Sequence, residues 1–322
     1  MGRAQRGACP APAFAMNPPE TPSPSAGPAA PDPTSNPTPN PTWGILWMLL
    51  TMFGFVSMDA MAKHLSRDYS LVQIVWARFT FHAVFLAAWL GARFWHQLKT
   101  HRIGLQLGRS LVLTTTTATY FGALAFIPLA DASAIMMLSP IIVTALSAPL
   151  LGERVGPRRW AGVCVGCVGA LLIVRPGGEP MHWAALLALA GAVSNALYNV
   201  MTKVLTRTEP LMTTLVYSAT VGAAASALAV PFFWTTPDLV GWIGLAGLGV
   251  MGGVSHYCLI AAFTHAPAAT VAPFLYTNLI WAGLYGYFLF GHLPDRWTVL
   301  GAAGIVGAGL YIFHRERRAK GS

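Results

Sequence analysis

Asp59, Lys63, Arg78 and Lys203 all fall inside runs of apolar residues. Each such charge costs about 2.5 to 3.5 kcal/mol at the centre of a bilayer on insertion scales, so a set of unpaired ones would be prohibitive. Asp59 and Lys63 are four residues apart, hence on one face of a helix, where opposite charges offset much of that cost; the spacing predicts an ion pair. Arg78 and His82 repeat the spacing in the next apolar run, so two polar faces are expected to meet where these helices adjoin. Two readings follow. In one, Lys63 and Lys203 reach opposite membrane surfaces along their aliphatic stems and Asp59 neutralises one of them. In the other, Arg78 binds an anionic or carbonyl-rich part of a solute, while Asp59, the carboxylate set deepest in an apolar run, gains and loses a proton as the solute moves.

Amide and aromatic groups supply a second set: Tyr120, Asn195, Tyr198, Asn199, Tyr257, Tyr276, Asn278 and Trp281. Asn195, Tyr198 and Asn199 stand at i, i+3 and i+4 and make one polar stripe. It suits a planar, uncharged, hydrogen-bonding ligand such as an isoalloxazine or a purine, through stacking and amide contacts. Interhelical hydrogen bonds and interfacial aromatic belts are the structural alternative for each residue taken singly. Pro273 removes a backbone hydrogen bond upstream of Asn278 and Trp281, and Pro140 does the same in an earlier run. Broken helices near the midplane of a membrane line cavities, which adds weight to these residues. The hydroxyls of Thr114 to Thr117 are expected to return to backbone carbonyls one turn back.

The elements that must position these groups are apolar runs of about 17 to 25 residues, the length that crosses roughly 30 Å of hydrocarbon. They lie at about 43–65, 71–91, 108–127, 131–151 and 158–174, then at about 183–205, 211–233, 240–263, 268–290 and 297–314. The pattern MxKxLxR occurs at Met61, Lys63, Leu65 and Arg67 and again at Met201, Lys203, Leu205 and Arg207. Later landmarks recur too: Ala125-Phe126 as Ala262-Phe263, Leu151-Gly152-Glu153 as Phe290-Gly291-His292, and Gly166-Cys167-Val168-Gly169-Ala170 as Gly304-Ile305-Val306-Gly307-Ala308. The chain therefore reads as two copies of one five-span unit, 43–175 and 183–315. Five is odd, so the second copy enters from the opposite side. The expected fold is an all-α membrane protein of ten transmembrane helices in two five-helix inverted-topology repeats, an architecture of secondary transporters.

Composition agrees. Apolar residues make up 55% and charged residues 10%, which sets the chain among polytopic membrane proteins. The net charge of +9 does not call for nucleic acid. With the amino terminus taken as cytoplasmic, Arg93, Lys99, Arg102, Arg109, Arg154, Arg158, Arg159, Arg207 and the basic residues of both ends fall on the inner side, against Arg67, Arg175 and Arg296 outside. That asymmetry is the positive-inside rule. Residues 1–42, rich in Pro, Ala, Ser and Thr, are expected to be a disordered cytoplasmic tail, with Met16 an alternative start. Pro176-Gly177-Gly178 and Pro237-Asp238 read as joints at the membrane surface. Cys164 and Cys167 form a CxxC inside an apolar run without a second pair, so small packing residues are expected there, with no metal and no cofactor. Gly162/Gly166, Gly249/Gly253 and Gly301/Gly304/Gly307 put small residues on helix faces where backbones approach closely.

The segment AFIPLADASAIMMLSPIIVTALSAPLLGERVGPRRWAG resembles the first repeat of the EamA family of the drug/metabolite transporter superfamily, and HAPAATVAPFLYTNLIWAGLYGYFLFGHLPDRWTVLGAAGIVGAGLYIF resembles its second repeat. The resemblance covers about residues 43–315. It implies a ten-helix inverted-repeat carrier in the bacterial inner membrane with both ends in the cytoplasm, a small-molecule solute and the lipid bilayer as partners, and a homodimer as an open alternative. The phrases PLADAS and VAPFLYTNLIWA resemble the branch of riboflavin and S-adenosylmethionine uptake carriers, with riboflavin or a nucleoside-like solute the first expectation and export of amino acids, metabolites or drugs the alternative. The family's Gly-Glu stands here as Gly152-Glu153, but its second copy reads Gly291-His292. If that carboxylate ties a helix end to a loop, the second half must use another group, such as Asp295.

Other classes fit less well. Ser255-His256 resembles a hydrolase pair, yet neighbours on a helix point about 100° apart, and no GxSxG, HExxH or paired-carboxylate motif accompanies them. The chain lacks the GxxxxGK[ST] loop of a pump, and also the charge rings or filter loop of a channel.

Overall fold

The computed structural model describes residues 41–151, 156–175, 183–206 and 208–320. The Pro-rich stretch before residue 41 with Met16, Gly152 to Arg154, Pro176-Gly177-Gly178 and Arg207 lie outside the described residues.

All regular structure among the described residues is helical. The first half folds as α1 (Pro41–Leu65), α2 (Leu71–Leu90), a single turn α3 (Arg93–His96), α4 (Ile103–Leu124), the consecutive pair α5 (Leu129–Met136) and α6 (Ser139–Leu151), and α7 (Pro157–Val174). The second half folds as α8 (Trp183–Leu205), α9 (Leu211–Ala227), α10 (Leu239–His265), α11 (Ala268–Val271) and α12 (Thr277–Phe290), joined by a 3₁₀ stretch, and α13 (Arg296–Lys320). Among the described residues, six stretches are long and apolar enough to cross a membrane: Pro41–Leu65, Leu71–Leu90, Leu129–Leu150, Trp183–Leu205, Leu239–His265 and Arg296–His314.

Local chemistry sets the ends. Ser70 caps α2 by accepting from Gln73 N at 3.3 Å, and Asp238 caps α10 by accepting from Gly241 N at 2.7 Å. Gly291 takes φ 68° just past α12, the left-handed conformation that closes a helix and that glycine adopts without strain. Two boundaries depart from expectation. The seventh run stops at Ala227 rather than 233, because Pro231 lies in the 3₁₀ turn Val230–Phe232 and cannot donate to a continuing helix. The third starts at Ile103 rather than 108, with Leu105 N and Gln106 N bonding Arg102 O, so Arg109 lies inside the helix.

The packing has a two-fold pattern. Counting each apolar run by its place in its half, α1 on α10 and α8 on α4 are one contact made twice. So are α2 on α10 and α9 on α4, and again α1 on α12 and α8 on α6. The pairs α2 with α9, α7 with α13 and α5 with α12 map onto themselves. Close approaches rest on glycine. A Cβ on Gly249 would sit 2.8 Å from the His82 backbone nitrogen, and one on Gly169 would sit 2.7 Å from the Gly301 carbonyl oxygen. In lipid, where apolar burial gives no drive to association, such backbone proximity is a main source of packing energy. Cys164 and Cys167 are exposed on α7 rather than buried in a core, and Cys258 is buried; all three are free thiols.

Candidate functional site

Both helix breaks face one cavity. Between α5 and α6 the backbone tightens at Met137 and Leu138, where Leu138 N bonds Ile135 O, and Pro140 follows in the first turn of α6. In the second half Pro273 lies in the 3₁₀ stretch Ala272–Tyr276. Met137, Ser139 and Pro140 from one break and Pro273, Tyr276 and Asn278 from the other line a cavity of about 610 Å³. That volume suits a solute of a few hundred daltons. The rest of the wall comes from the middle of α1 and α2, the body of α4, the start of α9 and the C-terminal halves of α8, α10 and α13.

Asp59 and Arg78 both line this cavity and both are buried. The expected ion pair between Asp59 and Lys63 does not form. Lys63 Nζ instead donates to Leu124 O at 2.6 Å and Ile127 O at 2.8 Å, capping the end of α4, where the last carbonyls lack helical partners. Asp59 Oδ2 accepts from the Tyr120 hydroxyl at 3.2 Å, which also lies 3.2 Å from Ser133 Oγ. Arg78 makes no hydrogen bond to a described residue; its Nε is buried without a partner, and its guanidinium sits 4.7 Å from the Phe79 ring centre. The two polar faces do not meet by packing of α1 on α2, since both helices pack on α10; they meet through the cavity.

Asn195, Tyr198 and Asn199 line the cavity as one stripe, with Asn195 Nδ2 donating to Ser139 Oγ at 3.1 Å. Tyr120, Tyr276 and Asn278 line it too, and Asn278 Oδ1 has no partner. Four expected residues lie elsewhere. His82 is buried behind the wall with Nε2 unpartnered, because its ring is turned toward α10 and stands 5.5 Å from that of His256. Trp281 packs edge-on against Phe53 at 5.2 Å, and Lys63 is at the end of α4. Tyr257 is half exposed beside Trp47 and Trp89. The Thr114 to Thr117 hydroxyls bond the carbonyls of Ser110, Leu111, Val112 and Leu113, one turn back, as their position in the helix predicts.

Two groups on the cavity wall were given other places by the sequence reading. Arg109, counted there among inner-side surface charges, is buried on the cavity wall and clamps three helices. Its Nε donates to Thr202 Oγ1 at 2.7 Å, Nη1 to Thr214 O at 3.0 Å and Ser218 Oγ at 2.8 Å, and Nη2 to the Tyr198 hydroxyl at 2.7 Å. Its spacing of 11 residues from Tyr120, three helical turns on one face, was the signal available in the sequence. His256 also lines the cavity. Its Nδ1 lies 2.8 Å from Gly252 O, and a carbonyl only accepts, so the proton sits on Nδ1 and Nε2 is left as an acceptor.

The end of the bundle beyond Asp59 is closed. Besides Lys63, Arg175 pairs with Asp295, Thr298 Oγ1 donates to Asp131 Oδ1 at 2.9 Å, and Lys63 and Arg67 lie over the Phe290 ring at 5.6 and 5.8 Å. Asp295 also caps α13, accepting from Thr298 N at 2.8 Å.

A helical two-repeat fold whose paired helix breaks meet at a largely apolar cavity carrying a few polar side chains defines a multi-pass membrane transporter. The chain belongs to the EamA-like transporter family, whose model matches it twice, at residues 42–175 and 182–313. Similar proteins include an S-adenosylmethionine uptake transporter of Rickettsia bellii, 29% identical over 84% of this chain and 93% of that one. A riboflavin transporter of Rhizobium johnstonii is 34% identical over 69% of this chain and 74% of that one. The pseudopaline exporter CntI of Pseudomonas aeruginosa is 29% identical over 81% and 92%. One solved crystal structure shares the fold at a TM-score of 0.61 and 22% identity, covering 86% of this chain and 99% of that chain. The family and these relatives are transporters, not enzymes.

Proposed function

We propose that the chain is a secondary carrier of the bacterial inner membrane, with ten spans in two inverted repeats and both termini in the cytoplasm, taking up a small polar metabolite by alternating access. The two-fold pattern of helix contacts, the positive-inside asymmetry and the cavity at the paired helix breaks support this reading. The observation that carries the choice of solute is that Asp59 and Arg78 line one cavity without pairing with each other. A buried cation without a hydrogen-bonding partner is costly unless a ligand supplies one. A solute with a carboxylate for Arg78, an ammonium for Asp59 and a flat heterocycle for the Asn195, Tyr198 and Asn199 stripe satisfies all three, and S-adenosylmethionine has these parts. Riboflavin is the second reading: the same stripe suits an uncharged flavin ring, and the Rhizobium relative carries that name.

The test is uptake of labelled S-adenosylmethionine and of labelled riboflavin into proteoliposomes by the wild type, Arg78→Met and Asp59→Asn. Uptake of S-adenosylmethionine that falls below about a tenth in both variants is expected, each having lost a charge-assisted contact. Uptake of riboflavin alone would move the assignment to the flavin, and uptake of neither would overturn both.

A further inference from the structure

Lys63 and Lys203 occupy the same place in the two halves, the third position of each MxKxLxR. Lys63 holds the closed end by donating to the carbonyls of Leu124 and Ile127, at the end of α4. These flank Ala125-Phe126, whose repeat is Ala262-Phe263, so their counterparts are Ala261 and Thr264 at the end of α10. There a different arrangement caps the helix: Ala261 O accepts from Thr264 Oγ1 at 2.9 Å and from His265 Nδ1 at 2.8 Å. Lys203 itself is exposed, next to Thr202 on the cavity wall.

Helix packing is unequal in the same sense. α4 packs on α1 and on α2, whereas the repeat-related pairs, α10 on α8 and α10 on α9, are not closely packed. The two-fold is obeyed along the bundle and broken around the cavity mouth. An inverted repeat reaches its other state by exchanging the conformations of its halves.

We infer that Lys63 and Lys203 are alternating latches of the transport cycle. In the state described here Lys63 grips the end of α4. In the opposite state Lys63 lets go, and Lys203 displaces Thr264 and His265 to grip the end of α10 through the Ala261 and Thr264 carbonyls. This rests on the alternating-access reading above.

The test uses the full chain with its four cysteines replaced by serine and Met137→Cys, on the cavity wall, as reporter. A membrane-impermeant maleimide is applied from each side of oriented vesicles, without solute. Lys63→Ala raises labelling from the end that Lys63 closes relative to the other end; Lys203→Ala lowers that ratio. Each shift is about tenfold, the scale of one charge-assisted hydrogen bond, and Lys63→Arg and Lys203→Arg stay within about twofold. Shifts of the same sign, or an unmoved ratio in Lys203→Ala, overturn the latches. A second measurement serves if the lysine variants do not reach the membrane, and it leaves both lysines in place: Thr206→Cys, one turn beyond Lys203, with Thr264→Cys should form an oxidative cross-link, and failure to cross-link while Met137→Cys is labelled from both sides overturns the inference. Labelling of Met137→Cys from one side only, in the background with both lysines intact, instead refutes alternating access, and the latches with it.

Discussion

Replacing each of the two buried arginines of the cavity wall by methionine, which keeps bulk and removes charge, should separate solute binding from architecture. Arg109 donates four hydrogen bonds of 2.7 to 3.0 Å to groups on α8 and α9. Interhelical hydrogen bonds in membranes average about 0.6 kcal/mol and reach about 1.7 kcal/mol, which sets a floor of about 2 kcal/mol for the four. Part of the loss is softened, because Thr202 Oγ1 keeps its bond to Tyr198 O and Ser218 Oγ keeps its bond to Thr214 O, while the Tyr198 hydroxyl loses its partner. Arg109→Met is therefore expected to lower unfolding free energy by about 2 to 5 kcal/mol. Arg78 has no hydrogen bond to a described residue. Relief of its buried, unpartnered Nε, about 1 to 3 kcal/mol, is offset by loss of its contact with Phe79, about 0.5 to 2 kcal/mol. Arg78→Met should stay within about 1 kcal/mol of wild type, or gain slightly, yet take up no solute. Unfolding in mixed micelles of rising dodecyl sulfate fraction measures the first quantity and proteoliposome uptake the second. Arg78→Met less stable than Arg109→Met, or transporting at the wild-type rate, would refute the division of labour.

Glycine positions give a second contrast: Gly301→Val drives a side chain onto the Gly169 carbonyl and Ile173 and should cost about 1 to 3 kcal/mol, whereas Gly307→Ala, with nothing within 4 Å of its Cβ, should gain up to about 1 kcal/mol in the same assay. Asp59→Asn should abolish uptake of a solute with an ammonium group and leave an uncharged solute's uptake within about twofold; if protons drive transport through Asp59, it should also flatten the pH profile of uptake. Asp295→Asn keeps the cap on Thr298 N and loses only a half-exposed ion pair with Arg175, for less than about 1 kcal/mol, while Asp295→Ala loses both and should cost about 1 to 2 kcal/mol more, measured by the same unfolding titration.

Helix positions and the polar stripe were legible because each depends on neighbours within a turn or two. Asn195, Tyr198 and Asn199 share a face by helical period alone, and Thr114 to Thr117 find acceptors four residues back whatever surrounds them. Lys63 was misassigned by the same logic. Its i−4 neighbour Asp59 was the nearest partner in sequence, but Lys63 found two carbonyls 61 and 64 residues away, which a local rule cannot see. Arg109 was misassigned because a basic residue beside a basic joint reads as surface, until α8 and α9 cover it with hydroxyls.

The amino-acid sequence by itself determined that the chain is a membrane protein made of one unit used twice, because a bilayer admits only backbones that satisfy their own hydrogen bonds, and so writes each span as an apolar run of set length. It also determined where the fourth and ninth runs break, since Pro140 and Pro273 lack the donor a continuous helix needs. Only the tertiary structure decided which charges face the cavity, which are spent on clamping helices and which end of the bundle is shut. Those outcomes depend on contacts between helices far apart in the chain, where a shift of one helix face changes the partner of every polar group on it.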